Sequence, residues 1–453
     1  MADLSPWVEL GTVAAGAGGL GYAKARAPRA YWSLVGLPVT WGRFTWTYGS
    51  TMEVCGLTVQ PSHFRAFMTR NVARREVRPV PPKVRRVAPT STGLRVTLRL
   101  PAGLAPDDLA ASTERLRHAW GVRSVSVAET KPGYVELRMT GYDVLNRVRM
   151  PRKARSRDLI VPVALREDGS VFERNYREVP HALTLGANFS GKSMYQRILI
   201  KGLAQLPVGL IGIDCKRGVE QGRYAPRLSA LVTTPDDAAR LIDALVVEME
   251  ERFDLLALYG VSDLSELPDK VRPVPLVVLI DEVAELFWVV SKKDEPARDR
   301  TVMQLVRLGQ MARAIGIYLE VCGQRFGSDQ GKGATALRAQ LTGRVVHRVN
   351  DKASAEMGLS DISPEAVVAA TSIAANRPGT AVAGDTSGGW SRIRTPEVTP
   401  AEAEAVCREF AHLTPDLPFL APFRPVDRMA SPLLVVPPMP TVPPLVQPRP
   451  VTE

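Results

Sequence analysis

Between residues 94 and 139 apolar and polar positions alternate in three short runs, LRVTLRL, SVSVAE and YVELRM. Alternation of this kind places successive side chains on opposite faces of a strand. A helix lies after the first run, opened by Pro106 and Asp107 and running to about Trp120. The pattern predicts a small α+β domain over residues 91–150. From residue 158 to about 396 the pattern changes to short continuous apolar runs separated by helical segments, which predicts a parallel sheet with crossover helices. Residues 65–90 carry Arg70, Arg74, Arg75, Arg78, Lys83 and Arg85 among prolines and read as a basic linker. Beyond residue 413 prolines recur every few positions to Pro450, so residues 413–453 read as extended, disordered chain. No internal repeat is present, which removes solenoid and propeller folds.

Composition narrows the class. A chain of 453 residues suggests about three units. With 45% hydrophobic and 23% charged residues it has ample core material. Lys and Arg number 58 against 47 Asp and Glu, a net charge of +11 that favours a polyanionic partner such as nucleic acid or an anionic membrane face. Cys55, Cys215, Cys322 and Cys407 lie far apart with no C-x-x-C pair, so neither a zinc site nor a disulfide framework is indicated, and a reducing cytoplasm fits. No stretch approaches the roughly 20 apolar residues of a spanning helix. The aromatic region 1–64, with Trp32, Trp41, Trp46 and Tyr48, either packs on protein or, with Arg26 and Arg29 beside it, lies at the cytoplasmic face of the membrane.

The chemistry sits in residues 183–193, LTLGANFSGKS, where a short apolar strand feeds Gly186-Ala187-Asn188-Phe189-Ser190-Gly191-Lys192-Ser193 and a helix follows from Met194. Glycines let backbone N–H groups curl around phosphate oxygens, and the helix N-terminus adds its positive dipole end. Lys192 reaches the β- and γ-phosphates of ATP, and Ser193 ligates Mg²⁺. Phe189 is bulky for its place, with a side chain able to point out of the loop. A second apolar strand, LVVLI, ends at Asp281-Glu282. Asp281 is placed to hold Mg²⁺ and Glu282 to orient and deprotonate the attacking water, which favours hydrolysis over transfer to an acceptor.

With these motifs in hand, residues 158–384 resemble the FtsK/SpoIIIE family of hexameric double-stranded DNA translocases. The landmarks run in order: Pro180-His181, IDCKRGVEQGRY at 213–224, EMEERF at 248–253, LIDEVAEL at 279–286, RLGQMARAIGIYL at 307–319 and GQR at 323–325. The resemblance implies an α/β, RecA-like P-loop NTPase motor core behind the small α+β domain, acting as a ring of six. The N-terminal stretch with CGLTV at 55–59 is similar to the transfer proteins of actinobacterial plasmids and integrative elements. It also implies that Gln324 senses the γ-phosphate or water. Arg313 is the finger acting on a neighbouring subunit, with Arg307 as rival, and Asp214 and Lys216 support the site. Lys332 and Arg338 are candidate channel contacts or solvated loop charges, and Arg344 and Arg348 face a subunit interface, DNA or a solvated edge. Departures are Asn188 and Phe189 in the loop, a CGQR segment without the following Pro-Ser, and no winged-helix pattern after Pro396. The reading is an ATP-driven DNA translocase for plasmid or element transfer; a protein-secretion ATPase and a nucleotide-binding coupling protein with little turnover are the alternatives.

Overall fold

The computed structural model describes residues 27–60, 79–90, 92–289, 291–385 and 387–425. It opens with a helical run: Pro28–Tyr31, a π turn Trp32–Gly36, and α1, Leu37–Val54. Gly56, at φ +74°, closes it, and the Leu57 N–H donates back to the Met52 carbonyl at 2.8 Å. Trp32, Thr40, Phe44, Thr51 and Met52 are buried at helical spacing. They face β1 (Lys83–Pro89), β2 (Gly93–Arg99), α2 (Pro106–Ala111), α3 (Thr113–Trp120), β3 (Ser124–Lys131) and β4 (Tyr134–Thr140). The four strands form an antiparallel sheet in the order β1-β2-β4-β3. Phe44, Met52 and Leu57 share one core with Val96, Leu98, Leu109, Leu116, Trp120, Val135 and Leu137.

Two sequence expectations change here. The aromatic region and the small α+β domain are one folded unit, because the aromatics of α1 complete the core of the sheet. The end of the basic linker is strand β1, with its arginines at exposed positions. Residues 61–78, which hold Arg65 to Arg78, lie outside the described residues.

The larger unit contains β5 (Ile160–Arg166), β6 (Val171–Asn175), β7 (Ala182–Leu185), α4 (Lys192–Leu203), β8 (Gly209–Ile213), β9 (Ala230–Val232), α5 (Pro235–Tyr259), β10 (Leu276–Ile280), α6 (Glu295–Met311) and β11 (Ile317–Gly323). It continues through α7 (Ala334–Gln340), β12 (Gly343–His347), α8 (Lys352–Leu359), α9 (Pro364–Thr371), β13 (Thr380–Asp385), β14 (Trp390–Arg394) and α10 (Pro400–Glu409). One ten-stranded sheet runs β6-β5-β14-β13-β12-β7-β11-β10-β8-β9. The stretch from β12 to β9 is parallel, whereas β13, β14, β5 and β6 pair antiparallel, so the expected parallel sheet is six strands of a mixed one of ten. Strand periodicity explains the two faces: Leu276, Val278 and Ile280 of β10 join the core under α5 and α6, and Val277 and Leu279 join the core under α4.

The antiparallel end of the sheet curls back over α4. A Cβ on Gly202 of α4 would lie 2.2 Å from Val161 of β5, so only glycine admits that approach. The rings of Tyr176 and Tyr318 meet at 5.6 Å, and the buried Arg174 Nε donates to Glu320 Oε1 on β11 at 2.5 Å. The proline-rich tail also departs from expectation: the turn Pro418–Phe423 packs on α5 and β9, burying Leu420 and Phe423. Residues 426–453 lie outside the described residues.

Candidate nucleotide site

Every residue of β7 is buried between β11 and β12, so the chain leaves it at the carboxyl edge of the sheet with little freedom. The loop that follows is held from three sides. The Gly186 N–H donates to the Gly323 carbonyl at 3.2 Å, the Ala187 N–H to the Arg348 carbonyl at 2.9 Å, and the Gly379 N–H to the Ser190 carbonyl at 2.8 Å. Arg348 also donates from Nη2 to the Asn188 carbonyl at 3.0 Å. Gly191 has φ +109°, and a Cβ there would lie 2.2 Å from Gly379 N; a Cβ on Gly186 would lie 2.5 Å from Ser190 Oγ. The result is a cradle that side chains would fill, opening onto the N-terminus of α4. The buried Ser190 Oγ has no hydrogen-bond partner, which suits a loop shaped for an oxygen-rich ligand. Phe189 takes φ +60° and is 95% exposed, pointing away from the cradle. Met194 packs its Cε against Gly379.

The acidic strand ends beside this loop. Lys192 Nζ lies 3.2 Å from Glu282 Oε2, and Glu282 Oε1 accepts the Gln324 backbone N–H at 3.3 Å. Asp281, also buried, pairs with Lys216 Nζ at 3.0 Å. Burial works against the Lys216 ammonium, but the Asp281 and Glu282 carboxylates outweigh it and raise its pKa. Beneath the loop, burial pushes the His347 imidazole down to about 4; its Nδ1 meets the Thr380 carbonyl at 3.2 Å, which raises it in part, and nearby Lys192 lowers it further. His181 Nδ1 accepts the Leu319 N–H at 3.1 Å, and burial lowers its pKa to about 3, so it is a neutral strap between β7 and β11.

Lys192, Ser193, Asp281, Glu282 and Gln324 thus share one edge of the sheet. Arg313 does not: it follows α6 just before β11, at the opposite edge, and is exposed. Arg307 is tied to Glu250 of α5. Arg344 is buried and donates to the Leu341 and Arg338 carbonyls, with Asp361 at 3.5 Å, so it is an internal strut and not an interface or DNA contact. Arg348 belongs to the phosphate loop, a role its place on an apolar strand did not reveal. Lys332 is exposed and Arg338 is half-buried. Asp214 accepts the backbone N–H groups of Lys216, Glu220 and Gln221, so it shapes a loop and leaves the chemistry to others.

The residues fit a magnesium ion in the nucleotide-dependent manner. Mg²⁺ is usually held by one or two carboxylates together with substrate phosphates and waters. Asp281 and the Ser193 hydroxyl would supply such a partial set, and among the described residues no three His, Cys, Asp or Glu side chains converge on a self-contained metal site.

A mixed α/β sheet with this loop and acidic strand defines a P-loop ATPase. Residues 144–274 and 265–328 match the FtsK/SpoIIIE family model, and residues 17–141 match the actinomycete conjugal transfer protein N-terminal domain. The chain is 52% identical over 389 residues to Transfer protein TraSA of Streptomyces ambofaciens, covering 83% of this chain and 94% of the relative. It is 71% identical over 277 residues to a Streptomyces azureus protein named Sporulation regulatory protein, covering 61% and 89%. It is 33% identical over 215 residues to DNA translocase FtsK of Lactococcus lactis, covering 43% and 27%. The fold is similar to the pCW3 conjugation coupling protein TcpA solved with ATPγS, at TM-score 0.52 and 18% identity over 73% of this chain and 93% of that one. The chain belongs to the FtsK/SpoIIIE family and carries the N-terminal domain of actinomycete conjugal transfer proteins.

Proposed function

We propose that this chain is an ATP-driven translocase of double-stranded DNA that serves the transfer of a plasmid or integrative element between cells. The observation that carries the reading is the meeting of Lys192 with Glu282 and of the phosphate loop with Asp281 at one sheet edge, in a chain that matches a conjugal transfer protein along most of its length. The loop backbone and Lys192 bind the β- and γ-phosphates of ATP. Ser193 and Asp281 would hold Mg²⁺, whose charge would offset that developing on the phosphates. Glu282, released from Lys192 when phosphates take the ammonium, orients the attacking water and accepts its proton. Gln324, anchored to Glu282 through its backbone, would sense the γ-phosphate or the water.

Arg313 is too far round the sheet to serve its own site, which supports a role in the site of a neighbouring subunit within a six-membered ring. DNA held by its phosphates along the ring channel suits the net charge of +11, with Lys332 and Arg338 as contacts. Among the described residues no helix is long and apolar enough to cross a membrane. The exposed Leu34, Val39, Trp41 and Trp46 of the N-terminal helical run suit contact with a membrane or membrane protein at its cytoplasmic face.

The test is ATPase activity with and without duplex DNA across a salt series, in the wild type, Lys192→Ala and Glu282→Gln. Lys192→Ala is expected to lose nucleotide binding. Glu282→Gln is expected to keep binding and lose about two to four orders of magnitude in turnover. Stimulation by DNA should fade as salt rises. Turnover indifferent to DNA would favour a secretion ATPase, and binding without turnover would favour a coupling protein.

A further inference from the structure

Lys216 has no task in this scheme, yet the chain goes to some length to aim it. The loop after β8 is pinned by Asp214, which accepts the backbone N–H groups of Lys216 at 3.2 Å and of Glu220 and Gln221 at 2.9 Å each. Arg217 and Gly218 are consecutive left-handed residues, at φ +59° and +70°. A non-glycine residue in that region is held there by its surroundings. The Lys216 ammonium ends 3.0 Å from Asp281 Oδ2 and 3.9 Å from Glu282 Oε2. Its side chain is 42% exposed and that of Asp281 3%. Lys192 pairs with Glu282 alone, so Lys216 is the one ion-pair partner of Asp281 among the described residues.

A buried carboxylate is costly to leave without a counter-charge or hydrogen bonds. Asp281 is also the carboxylate assigned above to the divalent ion, and a metal bonded to it would place two cations against one negative charge. We infer that Lys216 is a tethered counter-cation, a positioning residue that holds Asp281 aimed before nucleotide arrives and gives it up when a metal–nucleotide complex loads. Its exposed stem leaves room for the ammonium to swing into solvent. The consequence is that Lys216 suppresses metal binding in the absence of nucleotide and makes the two arrive together. This rests on the proposed role of Asp281 as metal ligand.

The experiment uses the full chain and Mn²⁺ as probe, with free Mn²⁺ followed by electron paramagnetic resonance. The wild type, Lys216→Met, Lys216→Arg and the double variant Lys216→Met/Asp281→Asn are compared without nucleotide, and the wild type and Asp281→Asn with ATPγS. Lys216→Met should bind Mn²⁺ about tenfold more tightly than the wild type, the scale of one neighbouring charge removed from a partly exposed site. Lys216→Arg should behave as the wild type, and the double variant should lose the gained affinity. Unfolding temperature gives a second reading: Lys216→Met should melt lower than the wild type in metal-free buffer and recover with Mg²⁺, while the wild type does not respond. Equal Mn²⁺ affinity in Lys216→Met and wild type, with Asp281→Asn weakening Mn²⁺ in the ATPγS complex, would overturn the inference and leave the site reading standing. No effect of Asp281→Asn in that complex would remove the metal-ligand role and the inference with it.

Discussion

Gly379 touches the phosphate loop without belonging to either nucleotide motif. It sits at φ +82°, its N–H closes on the Ser190 carbonyl, and a Cβ would lie 2.2 Å from Met194 Cε. Gly379→Ala is therefore expected to fold, at a backbone cost of about 1–2 kcal/mol. It should bind a fluorescent ATP analogue more weakly than the wild type, and unchanged affinity would show the clamp to be dispensable. His347, directly under the loop, makes a pH prediction. Above about pH 6.5 neither the folded nor the unfolded chain holds its proton. As pH falls from there towards the folded value of about 4, the unfolded chain takes up a proton that the folded chain refuses, so stability drops. The loss is about 2 kcal/mol at pH 5 and levels off below pH 4. Urea unfolding at pH 7 and pH 5 should show this slope in the wild type and a shallower one in His347→Gln. At this scale the sequence made the loop and the acids legible, since Gly186 to Ser193 and Asp281-Glu282 are contiguous and their chemistry dictates residue type. Gly379, Arg348 and His347 were hidden because each reaches the loop from a strand or turn that only the sheet order brings near.

Among the elements, α1 shows how exposure separates aromatics that look alike in sequence. Phe44 meets the Trp120 ring at 5.1 Å inside the core, while Trp46 is 91% exposed. Phe44→Ala should destabilise the N-terminal unit by about 3 kcal/mol, and Trp46→Ala should stay within about 0.5 kcal/mol; thermal melts of the two variants distinguish them. Leu420→Ala, in the turn after α10, should cost about 2–3 kcal/mol, whereas a solvated tail would register nothing. The strands and helices of residues 94–139 were readable because alternation there is strong. Strand β1 was not, since KVRRVAP sits at the edge of its sheet with charges at three of its seven positions and a proline at its end. The antiparallel half of the large sheet left a clue that periodicity does not carry. Only four residues join β13 to β14 and four join β5 to β6, too few for the crossover that parallel neighbours need.

At the scale of the molecule, Arg313 and the phosphate loop occupy opposite edges of the same sheet, so a ring would be needed to bring them together. Mixing Arg313→Ala subunits with Lys192→Ala subunits, each inactive alone, should restore part of the DNA-stimulated ATPase, because mixed neighbours would form intact sites. No recovery on mixing would place Arg313 outside the chemistry. The N-terminal unit is fastened to the motor by Arg377 to Asp143 at 2.6 Å, Arg138 to Asp168 at 3.3 Å, and Arg394 Nη1 to the Leu145 carbonyl at 2.8 Å. Its anchors Arg377 and Arg394 flank β13 and β14, in the part of the sheet that curls over α4.

That curl ends at the Arg174–Glu320 bridge, and Glu320 stands on β11, the strand that leads into Gln324. The far margin of the sheet is thus bolted to the strand whose Gly323 carbonyl holds the phosphate loop, like a crank fixed to its shaft. In the proposed motor, a tilt of β11 would be passed through this bridge to β6 and so to the margin of the sheet.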